Sequence, residues 1–336
     1  MDELDLALVN ALQLDPRAPW SRLAGPLGVD AATLSRRWAR LRTAGDAWVT
    51  CYAGASQVAY GAFALVEVVC AGGAAHRVAA GVAADPHALS VEQTTGSRDL
   101  LLTVSATEPS ALGDYVLRRL GTLDGVAATR THLVQRLHRE ASRWRLDSLS
   151  HEQRRDLERV ADRDREPGPL RPEELRLMLA LGADGRLPYA RLAERLGVSE
   201  TRVRRTLAGM LGGERVVMRC ETAHRLAGWR VTGMLWLNVP PTRLGTVAEH
   251  LAALREARMV CSVVGEANLL VNVWVHALDD LAALETRLLT RFPEVRVLDR
   301  SVTLRWVKRM GRMLDDEGRG VGYVPMDIRA PVTGRT

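Results

Sequence analysis

Arg36, Arg37 and Arg40 crowd into one short stretch with Thr33 and Ser35. A guanidinium is a flat, permanently charged set of donors that suits phosphate oxygens and the edge of guanine. Hydroxyls at the same place can bond bases or phosphates. A second set of the same kind stands downstream as Ser199, Thr201, Arg202, Arg204 and Arg205. Both sets could grip a nucleic-acid duplex, phosphate contacts positioning it and base-edge contacts reading it. Standing alone, each could equally be the solvated face of an amphipathic helix. A different chemistry is offered by Gly96-Ser-Arg-Asp99, which puts a flexible residue, a cation and an anion in one bend. An amino acid carries both charges, so Arg98 could take its carboxylate and Asp99 its ammonium. Asp99 could also simply hold nearby backbone amides.

The elements that must position these groups can be read from spacing. Asp30 is a good N-cap and Gly45 a natural stop for a helix between them. Leu34, Trp38 and Leu41 form its dry stripe, with Thr33, Arg36, Arg37 and Arg40 on the other side. A short apolar helix from Trp20 to Leu27 precedes it across a turn at Gly28-Val29, which completes a helix-turn-helix pattern. Leu192-Ala-Glu-Arg-Leu-Gly-Val198 repeats Leu23-Ala-Gly-Pro-Leu-Gly-Val29. The offset is 197 − 28 = 169 at the turn glycine, 205 − 36 = 169 at the helix arginine and 265 − 96 = 169 at the later turn. A constant offset over that distance implies a duplicated unit. In the second copy the stripe is Val203, Leu207 and Met210. Gly209, Gly212 and Gly213 should loosen the end of its helix, since interior Gly costs about 1 kcal/mol relative to Ala.

After the first helix-turn-helix, Trp48 to Tyr52 offers a wing strand, and in each copy the pattern then runs strand, helix, strand, strand, helix, strand: a βαββαβ unit. The first spans Gly61 to Leu137 and the second Thr232 to Trp306. Helices cover one face of such a sheet, so the other must be buried, commonly against another copy of itself. Between the copies lies a charged run, Glu152-Gln-Arg-Arg-Asp-Leu-Glu-Arg159, expected as a solvated helix, and a breaker at Glu166-Pro-Gly-Pro169.

Composition is compatible with this reading. The 336 residues suffice for several domains, and 46 basic against 40 acidic residues leave +6. All the basic residues but Lys308 are arginine, as codon bias alone could also produce. Cys51, Cys70, Cys220 and Cys261 form no paired metal motif and are expected reduced and mostly buried in a cytoplasmic protein. The start is acidic where a signal peptide is basic, and the apolar run at Gly61 to Ala71 is short and broken by Glu67. No membrane, metal or cofactor is expected.

Each half resembles the Lrp/AsnC (feast/famine) family of bacterial transcription regulators. The resemblance rests on the helix-turn-helix at Leu23 to Leu41, on Val91-Glu-Gln-Thr-Thr-Gly-Ser-Arg-Asp-Leu-Leu-Leu-Thr-Val104, and on Leu123-Asp-Gly-Val126. The second half repeats these as Val263-Val-Gly-Glu-Ala-Asn-Leu-Leu-Val271 and Phe292-Pro-Glu-Val295. It implies an α+β fold: two copies of a (winged) helix-turn-helix followed by a ferredoxin-like βαββαβ domain. The expected domains are DNA-binding at 1–56 and 172–225, effector-binding and oligomerisation at 57–137 and 226–307, a connector at 138–171, and an arm or poorly packed tail at 308–336. Double-stranded DNA is the implied partner, read by two non-identical helices, so the favoured site is an imperfect palindrome. The resemblance further implies a small effector, often an amino acid, at Gly96, Arg98 and Asp99 and at Gly265 and Asn268. Asn268 replaces the usual Asp, so the second site is altered or empty. A ligand at these turns would bias how the halves sit and so the fit to successive major grooves. An intrachain pseudo-dimer that associates further is expected, and no catalysis. The architecture is also similar to the sirohaem decarboxylases, on which reading His132, His224 and Arg219 would serve a tetrapyrrole. A third reading is an effector-binding oligomer with one inactive DNA-binding half.

Overall fold

In the computed structural model of the protein, residues 1–158 and 168–332 are described, the side chains of residues 58 and 59 apart. Arg159, the start of the breaker at Glu166-Pro167 and the last four residues lie outside the described residues. The first copy runs α1 (Glu3–Leu14), α2 (Trp20–Leu27), α3 (Ala31–Thr43), β1 (Ala47–Ala53), β2 (Ala62–Cys70), α4 (Ala75–Ala83), β3 (Ala88–Thr94), β4 (Leu100–Ala106), α5 (Pro109–Asp114) and β5 (Val126–Arg139). After α6 (His151–Leu157) the second copy runs α7 (Pro172–Gly182), α8 (Tyr189–Leu196), α9 (Glu200–Gly212), β6 (Val216–Thr222), β7 (Val231–Asn238), α10 (Leu244–Ala253), β8 (Ala257–Val263), β9 (Leu269–Val275), α11 (Leu278–Arg291) and β10 (Arg296–Arg309). Two short strands follow, β11 (Arg312–Leu314) and β12 (Gly320–Tyr323). Two compact units result, and each collects part of both copies: 1–60, 145–227 and 317–326 in one, 61–144, 228–316 and 327–336 in the other.

The first unit holds both helix-turn-helix elements. Gly28 and Gly197 close α2 and α8 at φ 67° and 66°, a left-handed bend that glycine adopts without strain. Leu34, Trp38 and Leu41 are buried on α3, as are Val203, Leu207 and Met210 on α9. β1, the expected wing strand, pairs antiparallel with β6 of the other copy. Thr50 stands opposite Arg219, and 219 − 50 = 169, so a pseudo-two-fold axis passes through this pair.

The arginines at the joint obey the same symmetry. Arg17 donates to the carbonyls of Gly185 and Leu187, and Arg186 donates to those of Pro16 and Ala18, at 2.8 and 2.9 Å. Arg17 lies 4.3 Å over the Tyr189 ring and Arg186 3.9 Å over that of Trp20. All these partners are related by 169. The chain thus makes within itself the isologous contact of a symmetric dimer. Burial lowers Arg186 to about 10.

Residues expected as connector pack against this unit. Asn10 and Gln13 are buried on α1 because their side chains accept from the backbone N–H of Ser148 and Leu146. α6 is not simply solvated: Leu157 is buried, and Gln153 donates to the carbonyl of Pro26. Part of the expected arm is also ordered, since β12 joins the unit through Gly320 N–H donating to Gly45 O at 2.9 Å and Met326 is buried.

The second unit holds both βαββαβ elements. Alternate residues of β2, such as Ala64, Val66 and Val68, pack under α4 and α5, and Leu235 and Leu237 of β7, with Val239 just past its end, do the same under α10 and α11. Each Val or Leu so buried contributes about 1.5–3 kcal/mol. β5 pairs with β2 and then crosses to β8, while β10 pairs with β7 and then crosses to β3. The order β3-β4-β2-β5-β8-β9-β7-β10 therefore closes on itself and leaves neither copy a bare edge. The faces away from the helices look inward, and β11 adds to the end of β10 as a hairpin.

Candidate nucleic-acid interface and effector turns

Asp30 caps α3 by accepting from Thr33 N–H at 2.8 Å, and its other oxygen accepts from the Thr33 hydroxyl at 2.7 Å. Arg36 is exposed and donates to Thr33 Oγ1 at 3.1 Å, so it stands ready at the helix surface beside half-buried Ser35. Arg37 and Arg40 are differently employed. Arg37 pairs with Asp2 at 2.6 Å and Asp5 at 2.9 Å, and Arg40 pairs with Asp5 at 2.6 Å. The hydrogen bond from Arg37 holds the Asp2 carboxyl below its usual range. These two arginines fasten α3 to the start of α1 rather than projecting freely.

In the second copy Ser199 caps α9, accepting from Arg202 N–H at 3.3 Å. Thr201, Arg202, Arg204 and Arg205 are exposed. Arg204 pairs with Glu200 one turn earlier at 3.4 Å and lies 4.0 Å over the Tyr189 ring. Despite its glycines α9 runs 13 residues, the same length as α3. The positions of Arg37 and Arg40 are taken by Thr206 and Gly209, a difference that spacing alone does not value.

The two sheet turns have diverged more. Gly96 and Gly265 share positive φ, 99° and 153°. Arg98 is buried and does not pair with Asp99. Its Nε donates to Glu67 at 2.5 Å, its Nη2 pairs with Asp299, and its guanidinium lies 4.5 Å over the Trp236 ring. His132 Nε2 meets the other Glu67 oxygen at 2.6 Å, and its ring also packs against Trp236. Burial alone would raise the Glu67 carboxyl, but the hydrogen bonds from His132 and Arg98 and the charge of Arg98 outweigh it and hold it low. Among the described residues Arg98 Nη1 has no partner, and it lies 3.9 Å from where a Cβ on Gly96 would stand. That leaves one buried donor at the turn for an incoming acceptor.

Asp99 accepts from Cys70 N–H at 2.7 Å. Asn268, its counterpart, accepts from Val239 N–H at 2.9 Å and donates to Val239 O at 2.8 Å. Both side chains hold backbone, so the expected division of an amino acid's two charges between Arg98 and Asp99 does not match their engagements. Ala267 and Trp236 stand where the first copy has Arg98 and Glu67, so the charged cluster forms once per chain. Spacing had marked Glu67 only as an interruption in an apolar run, the one available sign of its role; Asp299 and Trp236 carried none.

His132 belongs to the sheet unit, whereas Arg219 and His224 belong to the helix-turn-helix unit, where Arg219 pairs with Glu221. Among the described residues no group of three or more His, Cys, Asp or Glu could hold a metal ion, and no helix is long and apolar enough to cross a membrane. The cysteines are unpaired, and burial raises the thiols of Cys51 and Cys261 to about 12.

The profile of the AsnC-type helix-turn-helix domain matches residues 1–42 and 175–211. That of the Lrp/AsnC ligand binding domain matches 63–144 and 232–313. The HTH-type transcriptional regulator FL11 of Pyrococcus horikoshii is 27% identical over 143 residues, 42% of this chain and 94% of the relative. The protein of the same name from Pyrococcus furiosus is 24% identical over 143 residues, with the same coverage. Among solved structures, the siroheme decarboxylase NirDL matches with a TM-score of 0.58, covering 91% of this chain and 92% of that one at 13% identity. At that identity the likeness is one of fold.

Proposed function

This chain belongs to the Lrp/AsnC family, and from that premise we propose that it is a sequence-specific regulator that reads double-stranded DNA with two recognition helices carried on one chain. The reciprocal joint of Arg17 and Arg186 supports the reading most directly, because it pairs the two readers about a pseudo-two-fold axis. An operator with matching half-sites would meet both. On this proposal 1–56 and 172–225 are the DNA-binding parts, and Thr33, Ser35 and Arg36 on α3 with Thr201, Arg202, Arg204 and Arg205 on α9, capped by Ser199, face the duplex. Arg37 and Arg40 act mainly by holding α3 in place. Since Thr33 and Ser35 are replaced by Arg202 and Arg204 at the related positions, the two half-sites differ too. Selection of bound fragments from genomic DNA, followed by footprinting, tests this; recovery of an imperfect palindrome is expected. Fragments without a shared motif, or a motif that still binds Arg36→Ala unchanged, would defeat the assignment.

The parts at 57–137 and 226–307 serve effector binding and oligomerisation. The effector site falls at Gly96, Arg98 and Asp99, backed by Glu67, His132 and Asp299, whereas the turn at Gly265 and Asn268 keeps the backbone clamp without the charged cluster. A small ligand with a carboxylate, such as an amino acid, would use the unpartnered Arg98 Nη1. Calorimetry against the common amino acids checks this, with one site per chain expected. Binding that survives Arg98→Gln intact would move the site elsewhere.

A further inference from the structure

The second helix-turn-helix contains a cavity of about 310 Å³ with no equivalent chemistry in the first. It lies between α7 and α9 and is lined by Arg171, Arg202, Arg205 and Arg215, with Glu173, Glu174, Thr206 and Gly209 completing the wall. Four arginines thus face two glutamates. One of those glutamates is already engaged: Glu174 accepts from Arg215 at 2.8 Å and from Arg171 N–H at 2.9 Å. Among the described residues no carboxylate pairs with the side chains of Arg171, Arg202 or Arg205.

The duplication shows what this space would otherwise hold. Subtracting 169, Arg171 corresponds to Asp2, Glu174 to Asp5, Thr206 to Arg37 and Gly209 to Arg40. In the first copy two acids and two arginines occupy the site and neutralise one another. In the second, both arginines have been lost to small residues and an acid has become Arg171. The site has been emptied of its own side chains and its charge turned positive. Arg215, which stands where the first copy has Asp46, brings another cation, and its Nε is buried with no partner among the described residues.

We propose that this pocket binds a phosphate group, held by Arg171, Arg202, Arg205 and Arg215. Guanidinium forks match phosphate oxygens in pairs, and the space admits a small phosphorylated ligand or a backbone phosphate of bound DNA. The pocket can be tested without DNA, so its failure is separable from that of the proposed function, which the first reader alone can sustain.

The full chain is titrated with inorganic pyrophosphate by calorimetry, and with operator duplex by fluorescence anisotropy. The same titrations are run on Arg171→Asp and Arg205→Gln. Arg171→Asp restores the first copy's residue at a helix start that favours Asp, so the fold should hold; thermal unfolding verifies this. Saturable pyrophosphate binding weakened at least tenfold by both variants supports the pocket with a free phosphorylated ligand. No pyrophosphate binding, but a duplex affinity lowered tenfold by Arg171→Asp with a shallower salt dependence, supports it with the DNA backbone as the source. Pyrophosphate bound equally by wild type and both variants overturns the proposal. So does the absence of pyrophosphate binding together with unchanged duplex affinity in Arg171→Asp.

Discussion

The two helix-turn-helix copies agree where they touch each other and differ where they face outward. Arg17 and Arg186 make the same contacts with carbonyls and rings related by 169 residues. On the outer side, the Asp2, Asp5, Arg37 and Arg40 cluster of one copy becomes a positive cavity in the other. Two copies fused in one chain need only complement each other, so the joint constrains both while each surface can drift. The sharpest way to break this comparison is to attack the joint. Arg17→Ala with Arg186→Ala strands four carbonyls that each accept a charged hydrogen bond. At about 1–3 kcal/mol for each buried group left unmet, discounted for partial exposure, a loss of about 4 kcal/mol is expected. A shift in the urea midpoint worth less than about 1 kcal/mol would show that the symmetry of the joint is incidental.

The sheet copies differ in the seams that join them. Glu92 of β3 is buried and accepts from the Thr303 hydroxyl of β10; the related position on β8 is Cys261. Burial raises the Glu92 carboxyl to about 7, against the Thr303 hydrogen bond and the charge of Arg309. The unfolded chain loses this proton near its ordinary value of 4.5 and the folded one near 7. Stability is therefore full below 4.5, falls as pH rises to about 7, and stays lowered above. A displacement of that size corresponds to on the order of 3 kcal/mol as an upper bound. Lys308 on the same seam is lowered to about 7 by burial, so its cost is felt below 7 and relieved from there to 10.5, a separate window. Glu92→Gln should flatten the fall between pH 4.5 and 7 and raise stability at pH 8, measured by thermal unfolding across pH. An unaltered profile would mean that the two seams are energetically alike.

How much of this was visible in the residues depends on the range of the physics involved. The dry stripe of α3, its Asp30 cap and the turn at Gly28 are local, and they stand as spacing suggests. The 169-residue offset exposed the duplication because insertions are few. The engagement of Arg37 and Arg40 with Asp2 and Asp5 spans more than 30 residues, so a set of arginines on one face could not be sorted into readers and fasteners. The bend at Gly96-Ser-Arg-Asp99 does not announce the burial of Arg98, because its partners, Glu67 and Asp299, come from strands far apart in the chain. The stretch after His138 read as a connector from its charge, yet buried Trp144, Leu146 and Leu157 are spaced too irregularly to show any period.

The readers themselves offer the next contrast. Among the described residues Arg36 has only Thr33 as a hydrogen-bond partner, whereas Arg37 is engaged by two carboxylates. Arg36→Ala should weaken operator binding by about 1–3 kcal/mol if it reads a base, or reduce the salt slope by about 1 if it meets a phosphate. Arg37→Ala should change that affinity less and instead lower stability slightly. Anisotropy titrations at several salt concentrations separate these results. Equal losses of affinity for both would show that the pairing with Asp2 and Asp5 opens on DNA.

The smallest effect is expected at Arg204. Its counterpart in the first copy is Ser35, so the second reader has an arginine where the first has a hydroxyl. That arginine is held on its own helix by Glu200 at 3.4 Å and by the face of Tyr189. A Glu one turn before a basic residue is the favourable order on a helix, worth about 0.2–0.5 kcal/mol, and an exposed cation over an aromatic ring adds about 0.5–1 kcal/mol. Holding a long side chain in one geometry opposes both, as for most surface pairs. Arg204→Ala should therefore cost under about 1 kcal/mol of stability. Its effect on duplex affinity should be smaller than that of Arg36→Ala, because a side chain lying along α9 must leave Tyr189 before it can reach a groove. Arg204→Ser, which installs the residue of the first copy, should match the alanine variant in both measurements. If either substitution lowers operator affinity as much as Arg36→Ala, then Arg204 contributes to the duplex contact as strongly as Arg36, and the two copies grip DNA through different positions of the same helix.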